Sequence, residues 1–209
     1  EIEFDHVSFA YPEAGENVLT DISFKAKKGQ TIAVIGSTGS GKSTLINLIP
    51  RYYDVTKGSV KVDGVDVRDM TQKELRDKLG YVPQKGVLFS GTIDSNIRYG
   101  KPEITDAQVK EAAEVAQATE FIDTKPEKYE SPVSQGGTNV SGGQKQRLSI
   151  ARAIAKDPEI FIFDDSFSAL DFKTDSQLRK ALKEYTKDAT TVIVAQRIGT
   201  IRNADKIVV

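Results

Sequence analysis

One short run constrains this chain more than any other. Gly36-Ser37-Thr38-Gly39-Ser40-Gly41-Lys42-Ser43 lies between a continuously apolar, β-branched stretch, Thr31 to Ile35, and a helical run, Thr44 to Ile49. A buried strand that gives way to a glycine-rich loop closing on Lys-Ser, and then to a helix, turns successive backbone N–H groups inward around an anion. Glycine permits this by reaching backbone angles closed to other residues and by leaving no Cβ in the way. The helix that follows points its positive end into the same loop. In this pattern Lys42 neutralises the outer phosphates of a nucleotide and the Ser43 hydroxyl binds Mg²⁺, with Thr44 opening the helix.

A fold must be built around that loop, and 38% hydrophobic residues in a chain of 209 are enough for a packed core. Residues 1 to 35 open with apolar positions at a spacing of two (Ile2, Phe4; then Val7, Phe9, Tyr11; then Ile22, Phe24, Ala26), the period of half-buried strands. Turn residues at Pro12 to Glu16 and Lys28-Gly29 break them. Ile160 to Phe163 and Thr191 to Ala195 are unbroken apolar runs like Thr31 to Ile35, as expected of strands covered on both faces of a parallel sheet. Thr105-Asp106-Ala107-Gln108 fits a capping box, and Val109, Ala112, Ala113 and Ala116 share one helical face; Leu178, Leu182 and Tyr185 stripe a later helix. The expected fold is an α/β core at 1–84 and 157–209, β-rich at its start, with a mostly helical subdomain inserted at 85–156. The apolar runs fall far short of the ~18 residues that suggest a membrane span. The chain opens on Glu1-Ile2-Glu3 and closes on Ile207-Val208-Val209 in strand pattern, so it reads as a segment of something longer.

The run Ile160 to Phe163 ends in Asp164-Asp165, at the edge where an open α/β sheet presents its ligands. Asp164 is placed to hold Mg²⁺ and Asp165 to face the γ phosphate and polarise an attacking water. A second phosphate-gripping end is Ser141-Gly142-Gly143-Gln144, where Ser141 caps a helix whose first turn is glycine and therefore open to an anion. Spacing alone leaves open whether this end serves the same nucleotide or one in another molecule. Other chemistries lack their residues. No cysteine is present and His6 is the only histidine, which removes disulfides, thiolate sites and a zinc centre. Twenty-nine Lys+Arg against 30 Asp+Glu leave a charge of −1, so no footprint for nucleic acid is visible.

Ser141-Gly142-Gly143-Gln144, after the phosphate loop and shortly before Asp164, resembles the signature of ATP-binding cassette (ABC) ATPases, and the resemblance extends over essentially the whole chain. It implies a P-loop NTPase (RecA-like) core with an antiparallel β subdomain and an inserted helical subdomain, with ATP and Mg²⁺ as ligands. It also implies a second cassette facing this one head to tail, each signature closing over the ATP of the other. By the same resemblance Tyr11 stacks on adenine, Gln84 links Mg²⁺ and water to a transmembrane partner, and Ser168-Ala169-Leu170-Asp171 communicates between cassettes. The run from Val82-Pro83-Gln84 through Leu88-Phe89-Ser90-Gly91-Thr92-Ile93 to Asn96-Ile97-Arg98-Tyr99-Gly100 is similar to exporters in particular. Those carry a transmembrane domain upstream in the same polypeptide, which puts the cassette at the cytoplasmic face of the membrane. His6 is read as a strand residue without a catalytic task. An importer ATPase subunit and a soluble, non-transport ABC ATPase share the catalytic motifs. A small-molecule kinase would leave Ser141 to Gln144 unexplained.

The chain departs from the family pattern where chemistry is done. The residue after the magnesium-binding Asp is normally Glu and here is Asp165; the residue at the strand-end switch is normally His and here is Gln196. Shortening Glu to Asp withdraws the carboxylate by about one C–C bond, ~1.5 Å, and a misplacement of ~1 Å can cost ~100-fold in rate. Gln196 can hydrogen-bond a phosphate but cannot titrate. The expectation is a cassette that binds Mg-ATP, hydrolyses it poorly at its own site, and completes a working site on a partner that retains Glu and His. Val133-Ser134-Gln135-Gly136-Gly137 also lacks the acidic residue exporters place where the cassette meets the membrane domain.

Overall fold

The computed structural model describes residues 1–209, the side chain of Ile198 excepted. The chain begins with strands β1 (Ile2–Phe9), β2 (Leu19–Ala26) and β3 (Thr31–Val34), helix α1 (Lys42–Asn47), strands β4 (Lys57–Val62) and β5 (Val65–Asp66), and helix α2 (Gln72–Asp77). Strand β6 (Leu79–Val82) leads to β7 (Gly91–Thr92), helices α3 (Ile93–Ile97), α4 (Asp106–Val115) and α5 (Thr119–Asp123), strand β8 (Pro132–Val133) and helix α6 (Gly142–Ala155). The remainder is β9 (Ile160–Asp164), α7 (Phe172–Tyr185), β10 (Thr190–Val194), α8 (Ile198–Ile201) and β11 (Lys206–Val208). Two compact units result. The first holds Glu1–Leu79, Glu159–Asp164 and Lys187–Val209; the second holds Gly80–Pro158 and Asp165–Thr186.

In the first unit an antiparallel sheet has the order β2-β1-β4-β5. Ile2, Phe4, Val7 and Phe9 of β1 are all buried, although the spacing from Phe4 to Val7 breaks the period of two. A bulge restores the phase: Asp5 pairs with Ser59 and Ser8 with Lys57, so His6 and Val7 together face Gly58. His6 takes φ +47° and Gly58 φ +76°, and a Cβ at Gly58 would overlap the carbonyl oxygens of His6 and Asp5, so this register admits only glycine there.

The parallel sheet of this unit runs β11-β3-β10-β9, with Val34 beside Val194 and Val194 beside Asp164. The three unbroken apolar runs of the sequence are thus neighbouring strands. Ile32, Ile160, Phe161, Ile162, Phe163 and Val192 are at most 1% exposed, and each such side chain contributes about 1.5–3 kcal/mol of burial. Backbone N–H groups of Glu159 and Ile160 both donate to the Lys78 carbonyl, and Asp205 accepts from Thr31 N at 2.7 Å, which fixes where β9 and β3 begin.

The second unit is built mainly of helices. Thr105 caps α4 with Gln108 as its reciprocal partner, and Val109, Ala112 and Ala113 are buried. Helix α6 buries Leu148, Ala151, Ile154 and Ala155, and α7 buries Leu178 and Leu182 while the Tyr185 hydroxyl donates to the Ile154 carbonyl at 3.3 Å. Arg152 of α6 donates to the carbonyls of Asn96 (2.8 Å) and Val87 (2.9 Å) and to Asn96 Oδ1 (3.0 Å), under the stacked rings of Phe89 and Tyr99. Burial pulls this guanidinium down to about 10. It ties the run Val87 to Tyr99 to the helix.

Candidate functional site

In the first unit the strand register sets the site. Since Val34, Val194 and Asp164 lie abreast, the loop after β3, the carboxylate that ends β9 and Gln196 just after β10 all emerge at one edge of the sheet. Gly36, Ser37, Thr38, Gly39 and Ser40 are exposed there, with Ser40 N donating to the Ser37 carbonyl at 3.1 Å. Gly41 then caps α1 in the left-handed region, φ +97°, with no side-chain cap and no acidic residue in the first turn. A Cβ on Gly41 would lie 3.0 Å from Val18 Cγ1 and 3.2 Å from Leu19 Cδ2, so the packing behind the loop as well as its backbone angle favours glycine. The helix end stays open toward an anion.

Lys42 Nζ donates to the Gly36 carbonyl and, at 3.1 Å, to that of Ser37, which holds the ammonium across the loop. Ser43 Oγ lies 3.3 Å from both carboxylate oxygens of Asp164. A hydroxyl and a carboxylate side by side are the hard oxygen donors Mg²⁺ takes, so the residues fit the ion. Among the described residues no three His, Cys, Asp or Glu side chains converge, and an ion here would complete its shell with phosphate and water. Tyr11 lies just beyond β1, and its hydroxyl shares a 2.6 Å hydrogen bond with Thr44 Oγ1. Gln196 is exposed.

The second unit holds the remaining site residues. Gln84 Nε2 donates to Asp165 Oδ2 at 3.4 Å. Asp165 stands at φ +47°, and its carbonyl accepts from Ser168 N (3.4 Å) and Ser168 Oγ (3.1 Å). Two contacts that the sequence did not reveal hold this pair: the buried Ser166 hydroxyl donates to the Val82 carbonyl at 2.6 Å, and Gln146 Nε2 of α6 donates to the Pro83 carbonyl at 3.0 Å. Both brace the residues just before Gln84.

Ser141 caps α6 as expected, and Gln144 completes a capping box: Ser141 Oγ accepts from Gln144 N (3.2 Å), and Gln144 Oε1 accepts from Ser141 N (3.3 Å). One first-turn donor is therefore used internally, while Ser141 and Gly142 stay exposed and a Cβ on Gly142 would meet nothing within 4 Å. No acidic residue occupies the first turn. Arg147, one turn on, donates to the carbonyls of Gln117 (2.9 Å) and Gly143 (3.3 Å) and lies over the Phe121 ring; burial lowers its pKa. Asp171 caps α7 by accepting from Thr174 N and Thr174 Oγ1, both at 2.8 Å, and these bonds hold its carboxyl below the usual range. Ser134 turns inward: its hydroxyl donates to Asn139 Oδ1 at 2.9 Å and shares a 2.8 Å bond with Thr138 Oγ1.

Known proteins resemble this chain in sequence and in fold. The sequence profile described as ABC transporter matches residues 19–168. The chain is 49% identical over 208 residues to the Bacillus subtilis (strain 168) protein named "Putative multidrug export ATP-binding/permease protein YgaD". It is equally similar to proteins of the same description from Staphylococcus aureus, strain Mu50 among them. All of this chain is covered in both cases, but only 36% of those relatives. A solved structure of a bacterial Atm1-family ABC exporter with ATP bound superposes with a TM-score of 0.93 at 38% identity, over 99% of this chain and 36% of that one.

Proposed function

Since the chain belongs to the ABC transporter family and has the mixed parallel and antiparallel cassette fold of its exporters, we propose that it is the ATP-binding domain of an exporter and that its own catalytic site is slow. The observation that carries the nucleotide reading is the sheet edge. There the loop Gly36–Ser43, with its Lys42 ammonium, and Asp164, beside Ser43, come from two separate segments of one compact unit. Lys42 meets the outer phosphates, backbone N–H groups of the loop cradle them, and Ser43 and Asp164 hold Mg²⁺. The ion, when bound, neutralises charge on the phosphate oxygens. Tyr11 supplies the base platform. Asp165 polarises the attacking water, with Gln84 hydrogen-bonded to its carboxylate. Asp165 is one methylene short for this task, and Gln196 does not supply an imidazole.

The exposed glycine end of α6 supports a role in closing over ATP bound by a second, homologous cassette. On this reading the partner carries the faster site and the pair is a heterodimer. The relatives' names, and the chain's coverage of about a third of their length, support a transmembrane domain in the same polypeptide and a place at the cytoplasmic face of the membrane. Calorimetric titration with Mg-ATP tests the nucleotide reading. Losing the charge-assisted contacts of Lys42 in Lys42→Ala is expected to weaken binding by at least about tenfold; an unchanged affinity would overturn it.

A further inference from the structure

Family resemblance assigns Tyr11 to the base but assigns nothing to hold it, and the residue sits where the chain leaves β1 for the turn at Pro12 to Glu16. A stacking platform is useful only when its ring plane is fixed beforehand, because a ring that must be ordered on binding subtracts that entropy from affinity. The structure fixes this ring at its backbone, against two neighbouring rings and at its hydroxyl. Ala10 N donates to Thr56 Oγ1 at 3.0 Å and Thr56 N to the Ser8 carbonyl at 2.9 Å, which pins the chain just before the ring's root to the segment that follows Tyr53. The Tyr11 ring meets buried Phe9 edge-on (centroids 4.9 Å, 82°) and meets Tyr53 edge-on as well (5.2 Å, 90°), while Phe9 supports Tyr53 at 5.6 Å. Such perpendicular pairs depend on orientation, so two of them define a plane. The Tyr11 hydroxyl then reaches Thr44 Oγ1 at 2.6 Å.

We propose that Thr44 and Tyr53 are positioning residues for the nucleotide base: Thr44 anchors the far end of Tyr11, and Tyr53 sets the plane in which its ring receives the base. This deepens, and rests on, the reading of Gly36–Ser43 as a nucleotide's phosphate loop. Thr44 follows Lys42 by two residues in the first turn of α1, so less than one helical turn and one hydrogen bond separate the platform from the phosphate-binding ammonium. The site thereby holds a fixed distance from base to terminal phosphates. Tyr53, 42% exposed, would otherwise be an ordinary surface aromatic.

Calorimetric titrations of the purified protein with Mg-ATP and with Mg-tripolyphosphate, which lacks a base, test the proposal. Tyr11→Phe and Thr44→Val should each weaken ATP binding roughly threefold to tenfold, and the double variant should be no weaker than the worse single one, because both remove the same bond. Tyr53→Leu should weaken ATP binding by a similar factor while binding tripolyphosphate as the wild type does, and Tyr53→Phe, which keeps the ring, should recover ATP binding. Additive losses in the double variant, ATP affinity unmoved by Tyr53→Leu, or parallel loss of ATP and tripolyphosphate would each overturn the assignment. A wild-type protein that binds neither probe would instead overturn the nucleotide reading on which it stands.

Discussion

Replacing Asp165 by Glu extends the carboxylate by about one C–C bond, ~1.5 Å, and two opposing effects follow from the structure. The gain is chemical: a reacting group misplaced by ~1 Å can cost ~100-fold, so restoring its reach, together with Gln196→His, should raise hydrolysis by about that factor, or ~2.7 kcal/mol of barrier. The loss is conformational. Residue 165 stands at φ +47°, a region that Asp visits more readily than Glu, and the left-handed conformation costs an ordinary residue ~1–2 kcal/mol. In a domain of this size each kcal/mol lowers Tm by about 2–4 °C. Single-turnover hydrolysis of labelled ATP, with protein in excess and the rate normalised to bound nucleotide, reads the first effect; thermal denaturation reads the second. The double variant is expected to be about 100-fold faster and a few degrees less stable. A variant that binds ATP equally well but hydrolyses it at the parental rate would refute the geometric reasoning.

Gly58→Ala should destabilise the protein by roughly 2–5 kcal/mol in denaturant melts, from positive φ and from overlap with backbone that cannot rotate away; a loss below about 0.5 kcal/mol would show the bulge to be easily rebuilt. His6 is the only histidine, so its proton resonance can be followed without overlap. The hydrogen bond to Asp21 (2.7 Å), then the charges of Asp21 and Asp5, raise its pKa above 6.5. Because the folded value is raised, the pair's stabilisation is fully present below the unfolded value of 6.5 and is lost as pH rises through the higher folded value. Asp21→Asn should return the titration toward 6.5 and should cost stability in mildly acidic but not alkaline buffer; an unmoved titration would count against the pair.

What the sequence disclosed and what it concealed divide along physical lines. The loop Gly36–Ser43 was legible because no common alternative combines those glycines with Lys-Ser after a buried strand, and the capping box at Thr105 and the cap at Ser141 because their spacing is local. The three apolar runs announced inner strands of a parallel sheet, since only burial on both faces removes the alternation, while their adjacency came from the structure. The jump from Phe4 to Val7 is a bulge that only the structure reveals, because its counterpart, Gly58, lies far along the chain and has meaning only once β1 and β4 pair. The braces at Ser166–Val82, Gln146–Pro83 and Tyr11–Thr44 could not be read at all. Each joins residues distant in sequence, and single hydroxyls and amides have no periodicity that would betray a partner. Arg152 was hidden for the same reason, as a charge inside a helical stripe that the structure spends on backbone carbonyls.

The central claim, that this cassette lends its signature to a partner's ATP while turning over little of its own, is tested most directly by steady-state ATPase of the assembled exporter with single changes confined to this chain. Asp165→Ala should leave turnover within about twofold of the wild type, whereas Ser141→Arg, which blocks the exposed end of α6, should lower it by ~100-fold or more. Strong loss from Asp165→Ala, or full activity in Ser141→Arg, would contradict the account.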